Sequence, residues 1–190
     1  MTRPPNPRRP SVLVGIVRIL RGYPDGLAFF GNTPLAFLAS LAPMTGLLLA
    51  GAMEGLVSGE GRDGVRELLP LLCALLTPPV LSYEFARLWQ REAEWLRFAT
   101  AVNWCQLLLP FVGMAILLVL SVLQSLGLPD DAANVLFAVC LGGYALWLHW
   151  FLARHGLALN GRRAAWLVLG VNLGTALVVF GPRLLIAGRE

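Results

Sequence analysis

The sequence contains no lysine, since all 15 of its basic residues are arginine. A phosphate-binding loop of the GxxxxGK[ST] type is therefore excluded. Histidine is nearly as scarce: His149 and His155 are the only two, and they lack the HExxH spacing of a zinc protease. No serine has a GxSxG context. These absences make an enzyme the least favoured class, and we expect no catalytic residue, no cofactor and no metal site.

Charged side chains are scarce as well, at 14% of the chain against about 25% in ordinary soluble domains. Apolar residues make up 57% of the 190 residues. A chain with this balance cannot cover a globule with a polar surface, and its length suits one membrane domain. The basic pI of about 9.5 comes from arginines that flank apolar segments, so we expect no nucleic-acid partner.

Cysteine is also rare, and its placement argues against a disulfide or a metal site. Cys73, Cys105 and Cys140 all lie within apolar stretches, without CxxC spacing and without a nearby histidine. Buried, inert thiols are the better interpretation.

What the chain does contain is five long apolar stretches. A bilayer core of about 30 Å needs roughly 20 apolar residues per helix, and hydrocarbon forces the backbone to satisfy its own hydrogen bonds. We therefore predict an all-α integral membrane bundle of five transmembrane helices. The predicted spans are residues 34–57, 68–83, 98–126, 132–152 and 164–186. Pro70, Pro78 and Pro79 predict a kink in the second span, and Gly181-Pro182 should bend or end the fifth.

The arginines alternate between the gaps that separate these spans. Eleven precede the first span or lie in the second and fourth gaps, and four lie in the first and third gaps or in the tail. Positively charged loops stay in the cytoplasm. We therefore predict a multi-pass protein of the cell inner membrane with a cytoplasmic N-terminus and a periplasmic C-terminus.

The segment before the first span divides into two parts, ahead of a transmembrane domain at 31–190. Residues 1–10 carry three arginines among four prolines and predict a disordered basic arm. Residues 11–30 predict an interfacial amphipathic segment, with Ser11, Gly15, Arg18 and Gly22 on one narrow face. Arg18 and Arg21 would then reach anionic lipid headgroups. The alternative is an N-terminal extension that packs on the bundle.

Glu54 is the ionisable residue of greatest interest inside a span, because such residues are costly in lipid. It lies beside a ladder of small residues, Gly51, Gly55 and Gly59, which recur every four positions. This spacing lets two helix backbones approach closely. Glu54 is therefore either a cap on a helix interface, open to water, or part of a polar pocket.

Three amides lie deeper in the predicted spans. Asn103 and Gln106 are three residues apart in the third, and Asn172 lies within Gly170-x-x-x-Gly174 in the fifth. Amides at such positions usually join helices, at about 0.6–2 kcal/mol each, so we expect a helix interface. A polar pocket on a substrate pathway is the alternative.

The charged segment at 84–97 follows the second span. Glu84/Arg87, Arg91/Glu94 and Glu94/Arg97 are each three residues apart and predict ion pairs along a helix, with a turn near 90–94. A solvated loop is one interpretation. The other is a cytoplasmic docking surface, whose candidate residues are Arg87, Trp89, Arg91, Glu94, Trp95 and Arg97.

Two short motifs carry a resemblance to a known family. One is Glu94-Trp95-Leu96-Arg97-Phe98 followed by Ala101-Val102-Asn103-Trp104 and Pro110. The other is Ala145-Leu146-Trp147 followed by Arg154-His155-Gly156-Leu157 and Gly161-Arg162-Arg163-Ala164.

In this order the motifs resemble the Yip1-like family of small membrane proteins, in particular its bacterial members. The resemblance implies five spans, a cytoplasmic N-terminus and a non-enzymatic role in binding partners or shaping the bilayer. The Asp-Leu-Tyr-Gly-Pro type of motif of eukaryotic members has no counterpart here.

The sequence favours the first of two functions and leaves the second as the alternative. The first is a partner-binding or membrane-organising protein, whose partners would be the bilayer and a membrane protein or a second copy of the chain. The second is a component of a small-solute or ion transporter or channel, which would need to act as an oligomer because five spans are few and no inverted repeat is visible.

Overall fold

A computed structural model describes residues 11–57 and 61–187, with side chains at 11–51, 53 and 70–181. The predicted basic arm at 1–10 lies outside these residues. The described elements, in order, are α1 (Val12–Leu20), a 3₁₀ helix (Pro24–Phe29), α2 (Pro34–Val57), α3 (Gly61–Leu88), α4 (Glu92–Ser125), α5 (Asp130–Gly156) and α6 (Gly161–Ala187). The described part of the chain contains no strand, so the prediction of an all-α fold is confirmed.

Five of the helices, α2 to α6, are long and apolar enough to cross a membrane. Each coincides with a predicted span, and α2 has the predicted bounds. The others are longer than their apolar stretches because charged residues extend the helices beyond them. Helix α6 continues past Gly181 to Ala187, so the expectation that Gly181-Pro182 could end it is wrong.

The turn between α3 and α4 falls where the charged segment predicts it. Gln90 has a φ of 58°, a left-handed conformation that ends α3. The backbone N–H of Arg91 donates to the Ala86 carbonyl at 2.8 Å, and α4 begins one residue later. This tight turn makes the two helices antiparallel neighbours.

The five long helices form a closed ring. Helix α2 packs on α3 and α4, α3 packs on α6, α6 on α5, and α5 on α4, while α3 also contacts α4 across the ring. On the α3–α6 side, Gly170 lies against Phe85 and Gly174 against Leu81, so these two helices are antiparallel. The ring leaves an interior space that several helices share.

The buried core is concentrated at one end of the ring. The ends of α3 and α5 and the beginnings of α4 and α6 meet there, and α1 and the 3₁₀ helix pack on them. Leu148, Leu152 and Leu157 are almost fully buried at this end. Since the arginines of 18–21, 87–97 and 154–163 lie in these same segments, we call it the arginine-rich end.

Outside this core the long helices turn apolar side chains outward. Leu118 is 65% exposed and Leu177 is 72% exposed, although leucine is among the residues most often buried in soluble proteins. Only 6–17% of each candidate membrane-spanning window is buried inside the protein. Such a surface suits a hydrocarbon surrounding.

Helix α1 contacts the bundle by one face and leaves its other face open. Gly15, Ile16 and Ile19 are buried, whereas Leu13 is 67% exposed. Gly15, assigned by the sequence to the polar face, instead lies against the 3₁₀ helix: a Cβ there would be 2.7 Å from Cβ of Phe29. This buried face fits the alternative interpretation, in which the segment is an extension that packs on the bundle.

The two arginines expected at lipid headgroups differ in their surroundings. Arg18 forms an ion pair with Asp25 of the 3₁₀ helix, with N–O distances of 2.5 and 3.1 Å. Arg21 follows the last residue of α1 and is exposed. Arg18 therefore helps to hold the N-terminal segment together, because its guanidinium is paired with the carboxylate of Asp25.

Candidate functional site

A cavity of about 470 Å³ lies between α3, α4, α5 and α6 and is partly open at the surface, where its lining residues Asn172, Ala176 and Phe180 are exposed. Its volume falls within the range of about 300–1,000 Å³ that is common for small-molecule sites. Most of its lining is apolar. Its polar lining side chains are all amides, hydroxyls or an imidazole: Ser82, Asn103, Gln106, His149, Asn172 and Thr175.

Asn103 joins α4 to α2 at the edge of this cavity. Its side chain is 7% exposed, and its Nδ2 donates to Oγ of Ser40 at 2.9 Å. The Ser40 hydroxyl in turn donates to the Phe37 carbonyl at 2.6 Å. The amide was predicted to lie at a helix interface or in a polar pocket, and the structure places it at both.

Gln106 joins α4 to α5. Its Nε2 lies 2.9 Å from Nε2 of His149, so in this arrangement the amide donates and the neutral imidazole accepts, with its own hydrogen on Nδ1. The sequence excludes an HExxH zinc site at His149 but indicates no partner for it. Because the two residues are 43 positions apart, no local spacing could reveal that they meet.

Asn172 and Thr175 bring α6 into the cavity wall, but their hydrogen bonds stay within their own helix. Asn172 Nδ2 donates to the Val168 carbonyl at 2.8 Å, and Thr175 Oγ1 donates to the Val171 carbonyl at 2.7 Å. Among the described residues, Asn172 therefore makes no hydrogen bond to another helix, and what it contributes is polarity on the cavity wall.

The small residues flanking Asn172 do form a helix contact. A Cβ on Gly170 would lie 2.5 Å from Cζ of Phe85, and one on Gly174 would overlap Leu81. A methyl group at either position would require side-chain atoms of α3, from Phe85 or Leu81, to move. The close approach of α3 to α6 closes one side of the cavity.

Helix α3 contributes two consecutive prolines and a serine to the wall. Proline has no N–H, so Pro78 and Pro79 leave the carbonyls four residues earlier, at Ala74 and Leu75, without their helical donors. Ala74 itself lines the cavity. Ser82 Oγ accepts a hydrogen bond from Nε1 of Trp95 at 3.1 Å and donates to the Pro79 carbonyl at 3.0 Å. Sequence reasoning placed neither Ser82 nor the proline pair in a site.

The structure describes only part of the small-residue ladder around Glu54. Gly51 is exposed, and no atom lies within 4 Å of a Cβ built on it. Glu54 and Gly55 belong to α2, but their side chains fall outside the described residues, as does the whole of Gly59. The prediction for these residues stays a prediction.

The two tryptophans of the candidate docking surface are packed within the protein. Trp95 lies between Phe37 and Tyr83, with ring centroids 5.2 and 5.0 Å away. Trp89 packs on Phe85 at 5.4 Å, and the guanidinium of Arg163 lies 6.0 Å from its ring. Both rings therefore join helices at the arginine-rich end.

The charged members of this surface are more open. Arg87 and Arg97 are exposed, while Arg91 and Glu94 are partly buried. Arg87 pairs with Glu84 at 3.1 Å, as their spacing predicts. The backbone N–H of Arg97 donates to Oδ1 of Asn32, and this bond ties the start of α4 to the chain just before α2. What this surface presents most openly is therefore Arg87 and Arg97, while Trp89 and Trp95 are only partly exposed.

The two motifs that suggest a family resemblance meet at the arginine-rich end. Phe98 of the first motif packs on Gly156 of the second, where a Cβ would lie 3.1 Å from its ring. Ala101, Leu157 and Ala164 are fully buried in the same cluster. These residues hold α4, α5 and α6 together, so the motifs describe how the bundle packs.

Within the described part of the chain, no cluster of histidine, cysteine and acidic side chains has the geometry to hold a metal ion. Comparison with known proteins gives no match: no protein-family model, no curated protein and no solved structure matches this chain. Function must therefore be inferred from the geometry of the cavity and of the arginine-rich end.

Proposed function

We propose that this chain is a multi-pass protein of the cell inner membrane, with its arginine-rich end in the cytoplasm. All five long helices meet the length and hydropathy needed to span a bilayer. Arginine-rich loops remain on the cytoplasmic side. The N-terminus would then be cytoplasmic and the C-terminus periplasmic.

The orientation can be tested with single cysteines in a background that lacks the native three. Gly127 lies in the α4–α5 turn, and Asn160 lies in the α5–α6 turn at the arginine-rich end. A membrane-impermeant maleimide should label Gly127→Cys in intact cells and label Asn160→Cys only after permeabilisation. Labelling of both from the same side would refute the arrangement.

Within that membrane the protein acts, we propose, as a non-enzymatic small-molecule-binding protein. One observation carries this proposal: Asn103, Gln106 and Asn172, together with His149, line a single cavity. Polar side chains inside a membrane bundle are costly, so their convergence on one space favours a binding site. Binding is the step that the transporter or channel hypothesis requires, and an oligomer could extend the site into a pathway.

Filling the cavity tests this function. Both Ala176 and its neighbour Leu177 are exposed, but only Ala176 lines the cavity. We expect the protein, purified in mild detergent, to retain a small molecule that native mass spectrometry detects as added mass. Ala176→Phe should remove that mass, and the matched variant Leu177→Phe should keep it. Equal retention by both variants would refute binding in the cavity.

The second candidate is a partner-binding or membrane-organising protein of the Yip1-like kind. The observation that favours it is the exposure of Arg87 and Arg97 at the arginine-rich end. A photoreactive amino acid at either position should crosslink to one defined protein or to a second copy. The same group at Leu177 serves as a lipid-facing control. Labelling that does not differ from this control would exclude a docking role.

A further inference from the structure

We infer that the cavity takes a single-chain, uncharged lipid whose head carries hydroxyl groups. This inference rests on the proposed binding function and adds to it the chemical class of the ligand. Three features of the cavity lead to it: the charge of its lining, the placement of its polar groups, and the hydrogen-bonding capacity that those groups retain.

The first feature is charge. Among the residues described as lining the cavity there is no arginine, aspartate or glutamate. An ionised group moved from water into such a space would lose its hydration without gaining a counter-ion, and that cost is large. His149 offers no counter-charge while its Nε2 accepts from Gln106. The ligand should therefore be uncharged.

The second feature is the separation of polar from apolar wall. On α6 the polar lining residues are Asn172 and Thr175; Leu167, Val168 and Val171 precede them, and beyond them the lining continues with Ala176, Val179 and Phe180. Between Asn172 and Phe180 the helix rises by about 12 Å. One part of the cavity thus suits a polar head and the part farther from the arginine-rich end suits an apolar chain. That division is typical of a site for an amphiphile.

The third feature is which hydrogen-bonding groups the protein has already used. The hydroxyls of Ser82 and Thr175 donate to carbonyls of their own helices. Asn103 and Asn172 each donate through Nδ2, and their Oδ1 atoms have no partner among the described residues. The second hydrogen on each of these Nδ2 atoms is also unused, so the head should both donate and accept hydrogen bonds, as hydroxyl groups do.

A monoacylglycerol with a diazirine and an alkyne in its acyl chain is a suitable probe. We expect ultraviolet labelling of the full chain in nanodiscs, with the modification mapping to 74–79 of α3 or 176–180 of α6. An excess of unlabelled monoacylglycerol should compete. A fatty acid probe has the same chain but a charged head, so it should label these segments at least about tenfold less. A tenfold difference corresponds to about 1.4 kcal/mol of binding free energy.

Two variants connect the labelling to the cavity. Ala176→Phe should abolish labelling at these segments, and Leu177→Phe should leave it unchanged. Asn172→Leu removes an acceptor without changing a helix-to-helix hydrogen bond, so it should reduce labelling by about two- to tenfold.

The possible results separate this inference from the proposed function. Equal labelling by the monoacylglycerol and fatty acid probes would overturn the uncharged class. Absence of labelling in a protein that still retains a water-soluble mass sensitive to Ala176→Phe would overturn the lipid assignment and leave the binding function intact. Absence of both labelling and retained mass would overturn both.

Discussion

Nε2 of Gln106 and Nε2 of His149 lie 2.9 Å apart, and this contact joins α4 to α5 on the wall of the interior cavity. Hydrogen bonds between membrane helices contribute about 0.6 kcal/mol on average, up to about 1.7 kcal/mol. The pair is therefore both a modest stabilising contact and a pair of polar groups placed where a ligand could reach them.

A double-mutant cycle with Gln106→Leu and His149→Leu should return a coupling energy of about 0.6–1.7 kcal/mol. The reason is that either single substitution already removes the shared hydrogen bond, so the second costs less. The free energy of unfolding in mixed detergent micelles measures it. Additive effects would mean that the two side chains do not interact.

Ser40→Ala should destabilise the protein by about 1–3 kcal/mol, because it leaves the buried Nδ2 of Asn103 without its acceptor. Ser121→Ala on α4 is the matched control. The Ser121 hydroxyl is exposed and bonds the Leu118 carbonyl of its own helix, so its loss should change the free energy of unfolding by less than about 0.5 kcal/mol. Equal costs for the two serines would contradict the buried contact.

Gly174→Ala should destabilise the α3–α6 contact by about 1–3 kcal/mol, because the added methyl group overlaps Leu81. Shortening the opposing side chain with Leu81→Ala should recover part of this loss. Gly142→Ala, at a position with no atom within 4 Å of the new Cβ, should be neutral. Thermal unfolding of the four proteins in detergent compares them, and a neutral Gly174→Ala would mean that Leu81 moves aside without cost.

Gly15→Val should release the N-terminal segment from the bundle, because a side chain there meets Phe29 and the Gly26 carbonyl. Leu13→Val on the exposed face of the same helix is the control. Amide hydrogen exchange should rise over residues 11–30 in the first variant and stay unchanged in the second. Unchanged exchange in both would mean that α1 does not depend on this contact. Release of the segment should also break the hydrogen bond that the Tyr144 hydroxyl donates to the Leu20 carbonyl at 3.0 Å.

The helices of the bundle could be predicted from sequence because hydropathy is a local property of the chain. Each apolar stretch is long enough to require a helix, and α2 has the predicted bounds. Helix α3 is longer than its prediction because its ends carry charged residues, which extend a helix without adding hydropathy. The turn at Gln90 was also predictable, since charge pairs mark helical spacing on both sides of it.

The site was only partly predictable. Amides at membrane depth stand out in any sequence, so Asn103, Gln106 and Asn172 could be named, but nothing local indicates that they share a cavity. His149 and Ser82 could not be assigned to it, because their roles depend on partners in other helices. The contacts of Trp95 were unpredictable for the same reason: it was named as a candidate docking residue, and its ring packs on Phe37 of another helix.

The sequence by itself determined that the chain is helical, that five helices are apolar enough to span a bilayer, and that arginines alternate between their ends. These properties follow from composition and spacing along one segment at a time. Only the tertiary structure decided which helices are neighbours, that α1 packs on the arginine-rich end, and that the polar side chains surround one space. The physical reason is that such contacts depend on steric fit between segments distant in the chain, as where Leu81 fills the space over Gly174.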